Sequence, residues 1–212
     1  MKKLRVALAQ INPIVGDFEY NCSKIVEYIE KAIKLETDII AFPELALTGY
    51  PPEDLVLKPS FIEKNLFYLD KIREKTDNII AIVGFIDKKE DVYNSAAIIY
   101  DKRILGIYNK HFLPNYGVFD EQRYFQKGEE LVLLSLNEYK IGISICEDIW
   151  FPENPINDYA ILGSELVINI NASPYNEGKE KRREELLKVR SRDNLIAIAY
   201  VNMAGGQDEL VF

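Results

Sequence analysis

The chain of 212 residues holds one histidine and two cysteines. With His111 as the only imidazole, a histidine-rich metal site has no ligands to draw on, and none is expected. Any Cys–His pair is confined to that one residue. The two cysteines, Cys22 and Cys146, read as thiols rather than a bridge in a reducing compartment. No apolar run reaches the length needed to cross a bilayer, and no signal-peptide-like run follows Met1. A cytoplasmic protein without membrane contact is expected. The net charge of −8 comes without a basic stripe, which argues against nucleic acid as a partner. No Walker A run and no Gly-x-Gly-x-x-Gly occurs, so a dinucleotide-binding reading of the fold lacks its fingerprint.

What is present reads as one α/β domain over residues 1–212, because 48% hydrophobic and 28% charged residues are an ordinary globular balance. The residues predict strands at 4–10, 38–42, 79–85, 94–100, 104–108, 131–136, 141–145, 166–170 and 195–201. Helices are predicted at 21–35, within 54–75, at 158–163 and at 180–192. Ile25, Ile29, Ala32 and Ile33 recur at helical spacing, with Cys22 on or near that face as a packing residue. Residues 94–108 read as a hairpin, and 131–136 pairs with 141–145. Residues 202–212 trail off through Gly205-Gly206 with no element predicted. Strands alternating with helices, plus hairpins, predict mixed sheets.

The organising stretch is Lys140 to Trp150. Ile141, Ile143 and Ile145 are β-branched and predict a buried strand that runs into Cys146, Glu147 and Asp148. A buried cysteine is by itself most often a small hydrophobe. Here Glu44 and Lys110 also stand just past predicted strands, and sites in α/β sheets assemble at the carboxyl ends of strands. A lone Glu or Lys there is usually a solvated charge; three reactive groups in that setting make a candidate site.

In these positions the chain resembles the nitrilase, or carbon–nitrogen hydrolase, superfamily, which uses a Glu-Lys-Cys triad in this order. The resemblance is closest to the glutaminase domains of glutamine-dependent NAD synthetases. It is carried by Phe42-Pro-Glu44 through Tyr50-Pro-Pro-Glu-Asp54, by Lys110 through Asn115-Tyr116-Gly-Val-Phe-Asp-Glu121, and by Ile143-Ser-Ile-Cys146-Glu-Asp-Ile-Trp150. Asn169 to Tyr175 and Tyr200 to Phe212 add to it. The resemblance implies an α-β-β-α sandwich with two mixed sheets inside. It implies Cys146 as nucleophile, Glu44 as general base and Lys110 as the oxyanion's partner. Glu121 matches a second glutamate near the lysine. Tyr116, Glu147, Ser173 and Lys179, with Glu121, are the implied substrate contacts. His111 is assigned to packing.

Glutamine is the implied substrate, with no cofactor for its hydrolysis. ATP and Mg are expected only in a synthetase half, which this sequence lacks. The chain stops at Phe212 in mid-pattern and reads as a domain truncated at its C-terminal end, with the synthetase domain expected on the same polypeptide. A homo-oligomer is implied by resemblance. A free-standing amidase acting on another small amide is the alternative; a silent scaffold is disfavoured by the intact triad. Replacing Lys110 by Met is expected to lower activity by about 10²-fold or more and to leave the fold intact.

Overall fold

The computed structural model describes residues 3–212. Met1 and Lys2, which precede the first predicted strand, lie outside them. Two sheets form the interior. The first has the order β1 (Val6–Leu8), β2 (Ile39–Ala41), β3 (Ile80–Lys88), β4 (Val92–Tyr100) and β5 (Arg103–Asn109). The second has the order β6 (Leu133–Leu136), β7 (Tyr139–Ile145), β8 (Leu166–Asn171) and β9 (Ala197–Asn202). Each mixes parallel pairs (β1–β2–β3 and β7–β8–β9) with antiparallel ones (β3–β4–β5 and β6–β7).

Period-two alternation sorts the side chains into layers. Ile39, Ala41, Ile80, Ile82 and Ile98 of the first sheet meet Ile141, Ile143, Ile145, Ile168 and Ile170 of the second. The opposite face of the first sheet, with Ile40, Ala81, Val83 and Phe85, packs under α1 (Phe18–Lys34) and α2 (Pro59–Arg73). Val167 and Ile196 on the outer side of the second sheet meet α3 (Pro155–Ile161) and the Leu186–Leu187 step of α4 (Lys179–Asn194). The order is therefore helix, sheet, sheet, helix, the nitrilase-type sandwich.

The element types follow the sequence reading, and several boundaries do not. The first strand is only three residues long. Helix α1 begins before Asn21, because Asp17 caps it by accepting from the Tyr20 N–H at 3.0 Å. Asn21 is an interior residue whose amide donates to the carbonyls of Ile14 and Leu47. Cys22 packs in the helix-side core as expected, whereas Ile33 is turned outward at 39% exposure. Helix α3 starts earlier than predicted, at Pro155, behind an Asn154 cap. The 202–212 segment, where no element is predicted, contains a small antiparallel pair, β10 (Gly206–Gln207) and β11 (Leu210–Val211). Strands of two residues give no periodic signal.

One close approach fixes a residue of the site. A Cβ at Gly84 would stand 2.3 Å from the Pro43 carbonyl oxygen and 2.4 Å from the Leu45 nitrogen. Both flank Glu44 on rigid backbone. Gly84→Ala is therefore expected to destabilise the fold by about 1–3 kcal/mol, the usual cost of overpacking a core. Thermal denaturation measures that loss, and activity should fall with it as Glu44 is pushed aside; an unchanged melting temperature would contradict the packing described.

Candidate active site

Carboxyl ends of strands from both sheets converge on one edge. β2 leads into Phe42-Pro43-Glu44, β5 into Lys110, β7 into Cys146, and β8 into Ala172 and Ser173. β-Strands leave the chain extended, so each reactive group emerges at the first residues where the ladder ends.

Glu44 and Lys110 are buried, at 0% and 1% exposure. The Lys110 ammonium donates to Glu44 Oε1 at 2.6 Å and to both oxygens of Glu121, at 2.8 and 2.9 Å. Asn94 Nδ2 also donates to Glu44 Oε1 at 2.8 Å, and the Ala172 N–H donates to Oε2 at 3.0 Å. Tyr50 donates to Glu121 Oε1 at 2.8 Å. Charges can be buried here because each finds an opposite charge and further hydrogen bonds. Burial works against the Lys110 charge, but the Glu121 and Glu44 carboxylates outweigh it and hold the ammonium well above the usual lysine range. Burial raises Glu121 to about 7 against the pull of Lys110, with the Glu44 charge adding to the rise.

Cys146 is the first residue of a short 3-10 turn and adopts φ of 42°. A residue bearing a Cβ is uncommon in that left-handed region, so the surrounding packing must hold it there. Burial pushes its thiol well above the usual range, and the Glu44 charge adds to that while Lys110 opposes it. The thiol lies within electrostatic reach of both Glu44 and Lys110.

Cys146 lines a cavity of about 520 Å³ together with Tyr116, Glu147, Ser173 and Lys179. The cavity gathers four of the five residues assigned to substrate contact. Glu121 is the exception: it is not among the residues lining the cavity, and it sits against Lys110 and Tyr50. Tyr116 donates to Glu147 Oε1 at 2.8 Å. Burial raises the Glu147 carboxyl and lowers Lys179. The sequence reading left out Arg182, which also lines the cavity, and Arg183, which donates to Ser173 Oγ at 3.2 Å. Both lie in the basic first turns of α4, where the sequence reading predicted a helix and took only Lys179 as a contact. Asn94 was missed because nothing in an apolar strand marks one Asn as special.

A larger cavity of about 660 Å³ lies elsewhere, lined by His111, Phe112 and Phe125, and contains none of Glu44, Lys110 or Cys146. The His111 ring stacks on Tyr108 with centroids 5.1 Å apart. That is a packing arrangement.

The sandwich with a Glu, a Lys and a Cys at converging strand ends is the architecture of a nitrilase-type hydrolase. The chain belongs to the carbon–nitrogen hydrolase family, whose pattern matches residues 5–212. It is 50% identical over 215 residues to the glutamine-dependent NAD(+) synthetase of Thermotoga maritima, covering 100% of this chain and 37% of that protein. The corresponding protein of Aquifex aeolicus is 50% identical over 211 residues, covering 99% of this chain and 37% of its own length. Among solved structures, glutamine-dependent NAD+ synthetase from Acinetobacter baumannii, in complex with ADP, superposes with a TM-score of 0.96 at 41% identity, over 100% of this chain and 40% of that one. A Glu-to-Gln mutant of the amidase from Nesterenkonia sp. AN1, showing the result of Michael addition of acrylamide at the active-site cysteine, superposes with a TM-score of 0.87 at 25% identity, over 99% of this chain and 82% of that one. The chain spans about two fifths of the length of the NAD synthetases it matches.

No helix among the described residues is long and apolar enough to cross a membrane.

Proposed function

We propose that this domain hydrolyses the side-chain amide of glutamine to glutamate and ammonia. The observation that carries the reading is Cys146, in its strained turn, at a cavity that also holds Glu147, Lys179 and Arg182, with the buried Glu44–Lys110–Glu121 ion cluster within electrostatic reach of its thiol. Similarity along the whole chain to glutamine-dependent NAD synthetases supports glutamine as the substrate.

Glu44 accepts the Cys146 proton as sulfur bonds to the amide carbon. A thiol whose pKa is raised by burial needs a base at the moment of attack, since the thiolate is the nucleophile. The carbonyl π pair moves to oxygen, and the oxyanion is stabilised by Lys110 and the Glu147 backbone N–H. Glu44 then protonates the amide nitrogen, the C–N bond breaks, and ammonia leaves a thioester on Cys146. Water, deprotonated by Glu44, adds to the thioester carbon. Collapse expels the thiolate, which regains its proton from Glu44, and glutamate departs.

Glu121 serves as the counter-charge that holds Lys110 in place. Glu147, Lys179 and Arg182 put charges of both signs around the cavity, which suits a zwitterionic amino acid better than a small neutral amide. The ammonia is destined for the conversion of deamido-NAD to NAD by a synthetase domain of the same polypeptide. The ATP and Mg used there have no role in the hydrolytic step.

The match to the Nesterenkonia amidase keeps a second reading open, a free-standing amidase for small neutral amides. A substrate comparison separates the two. Glutamine should be turned over, with Cys146→Ala as blank, while acrylamide and propionamide should be poor substrates. Adding ATP and deamido-NAD should not stimulate this chain. Faster turnover of the neutral amides than of glutamine would favour the second reading.

A further inference from the structure

Asp148 lies two residues beyond Cys146, is fully buried, and has no part in the chemistry above. Its carboxylate is nonetheless surrounded by donors. Oδ2 accepts from the Ile145 N–H at 2.9 Å and from the Tyr108 hydroxyl at 2.7 Å. Oδ1 accepts from the Phe112 N–H at 2.9 Å and from the His111 N–H at 3.1 Å. Tyr108 is itself fully buried and stacks on His111.

These donors bracket the two groups whose placement decides the chemistry. Ile145 immediately precedes Cys146. Tyr108 and His111–Phe112 lie on either side of Lys110. A single carboxylate thus joins the end of β5 in the first sheet to the end of β7 in the second. Cys146 needs such a hold, because its φ of 42° is maintained only if the chain on either side is over-determined. Buried charge-assisted bonds are the strong kind, and a carboxylate has enough lone pairs for all four donors.

We infer that Asp148, with Tyr108, is a positioning clip that sets the Cys146 thiol against Lys110 and Glu44. It acts through those residues and not on the substrate. The inference rests on Cys146 being the nucleophile.

Asp148→Asn is the test. The remaining amide oxygen can still accept from His111 and Phe112, and the new NH₂ can donate to the Tyr108 oxygen. The Ile145 N–H loses its acceptor. Small misplacements of reacting groups cost up to about 100-fold, so kcat for glutamine should fall by about 10-fold or more with KM near its wild-type value. Alkylation of Cys146 by iodoacetamide, mapped by mass spectrometry, should slow comparably while Cys22 in the same sample keeps its rate. Tyr108→Phe should show the same split at smaller size, with a melting temperature near wild type.

Normal kcat and normal Cys146 alkylation in folded Asp148→Asn would overturn the inference. So would a loss carried wholly by KM, or an equal change at Cys22. If Asp148→Asn does not fold, Tyr108→Phe decides by the same readouts. The alkylation arm uses no substrate, so it still decides if glutamine proves to be the wrong amide.

Discussion

Replacing Cys146 by alanine is expected to lower glutamine turnover by about 10⁴-fold or more, the scale on which losing a catalytic nucleophile falls. The same change in Cys22 should leave turnover near wild type. Both thiols are buried, so burial alone does not distinguish them. Their surroundings do. Cys22 sits among the side chains between α1, α2 and the first sheet, and burial pushes its thiol up with only Lys71 opposing. Cys146 lines a cavity and has Glu44 and Lys110 within electrostatic reach. A glutamine-like electrophile should add one mass increment, mapped to Cys146. Labelling that survives Cys146→Ala and vanishes in Cys22→Ala would reverse the assignment.

The second large effect belongs to Lys110. Lys110→Met should cost about 10²–10³ in kcat, the range for removing one oxyanion donor. It should also destabilise the fold. The ammonium is the only cation bonded to either Glu44 or Glu121 among the described residues, and both carboxylates are buried. Breaking a buried pair by removing one partner costs about 3–5 kcal/mol. The double variant Lys110→Met/Glu121→Gln removes one stranded charge, so it should recover part of the melting temperature and none of the activity. Recovery of both together would mean that Lys110 acts on stability alone. The sequence-based expectation that Lys110→Met spares the fold is therefore revised. A lysine after a strand reads as a surface charge; its burial depends on Glu121, eleven residues on, and on Glu44 in the turn after β2.

Position relative to strand ends was the legible part of this site. Glu44, Lys110 and Cys146 each follow a short β-branched or aromatic run, and the carboxyl edge of a mixed sheet brings such positions together. Tyr116, Glu147, Ser173 and Lys179 came from motif resemblance and share one cavity. What could not be read were roles set by distant partners. Asn94 reaches Glu44 across 50 residues of chain, and Tyr108 reaches Asp148 across 40. Neither residue type announces itself within an apolar strand. Asn21 misled for the related reason that Asn favours helix starts, while here its amide is spent on two loop carbonyls in the core. The β4–β5 turn was legible for a local reason. Asp101 and Lys102 take φ of 46° and 59°, the left-handed pair that a two-residue hairpin connection requires.

The central claim is that Cys146 carries the acyl group of glutamine. Rapid acid quenching of the chain during turnover, followed by peptide mass spectrometry, tests it directly. The account predicts a glutamyl increment on the peptide containing Cys146, formed at the rate of ammonia release or faster and absent in Cys146→Ala. Steady release of ammonia with Cys146 unmodified at every quench time, and undiminished in Cys146→Ala, would contradict it.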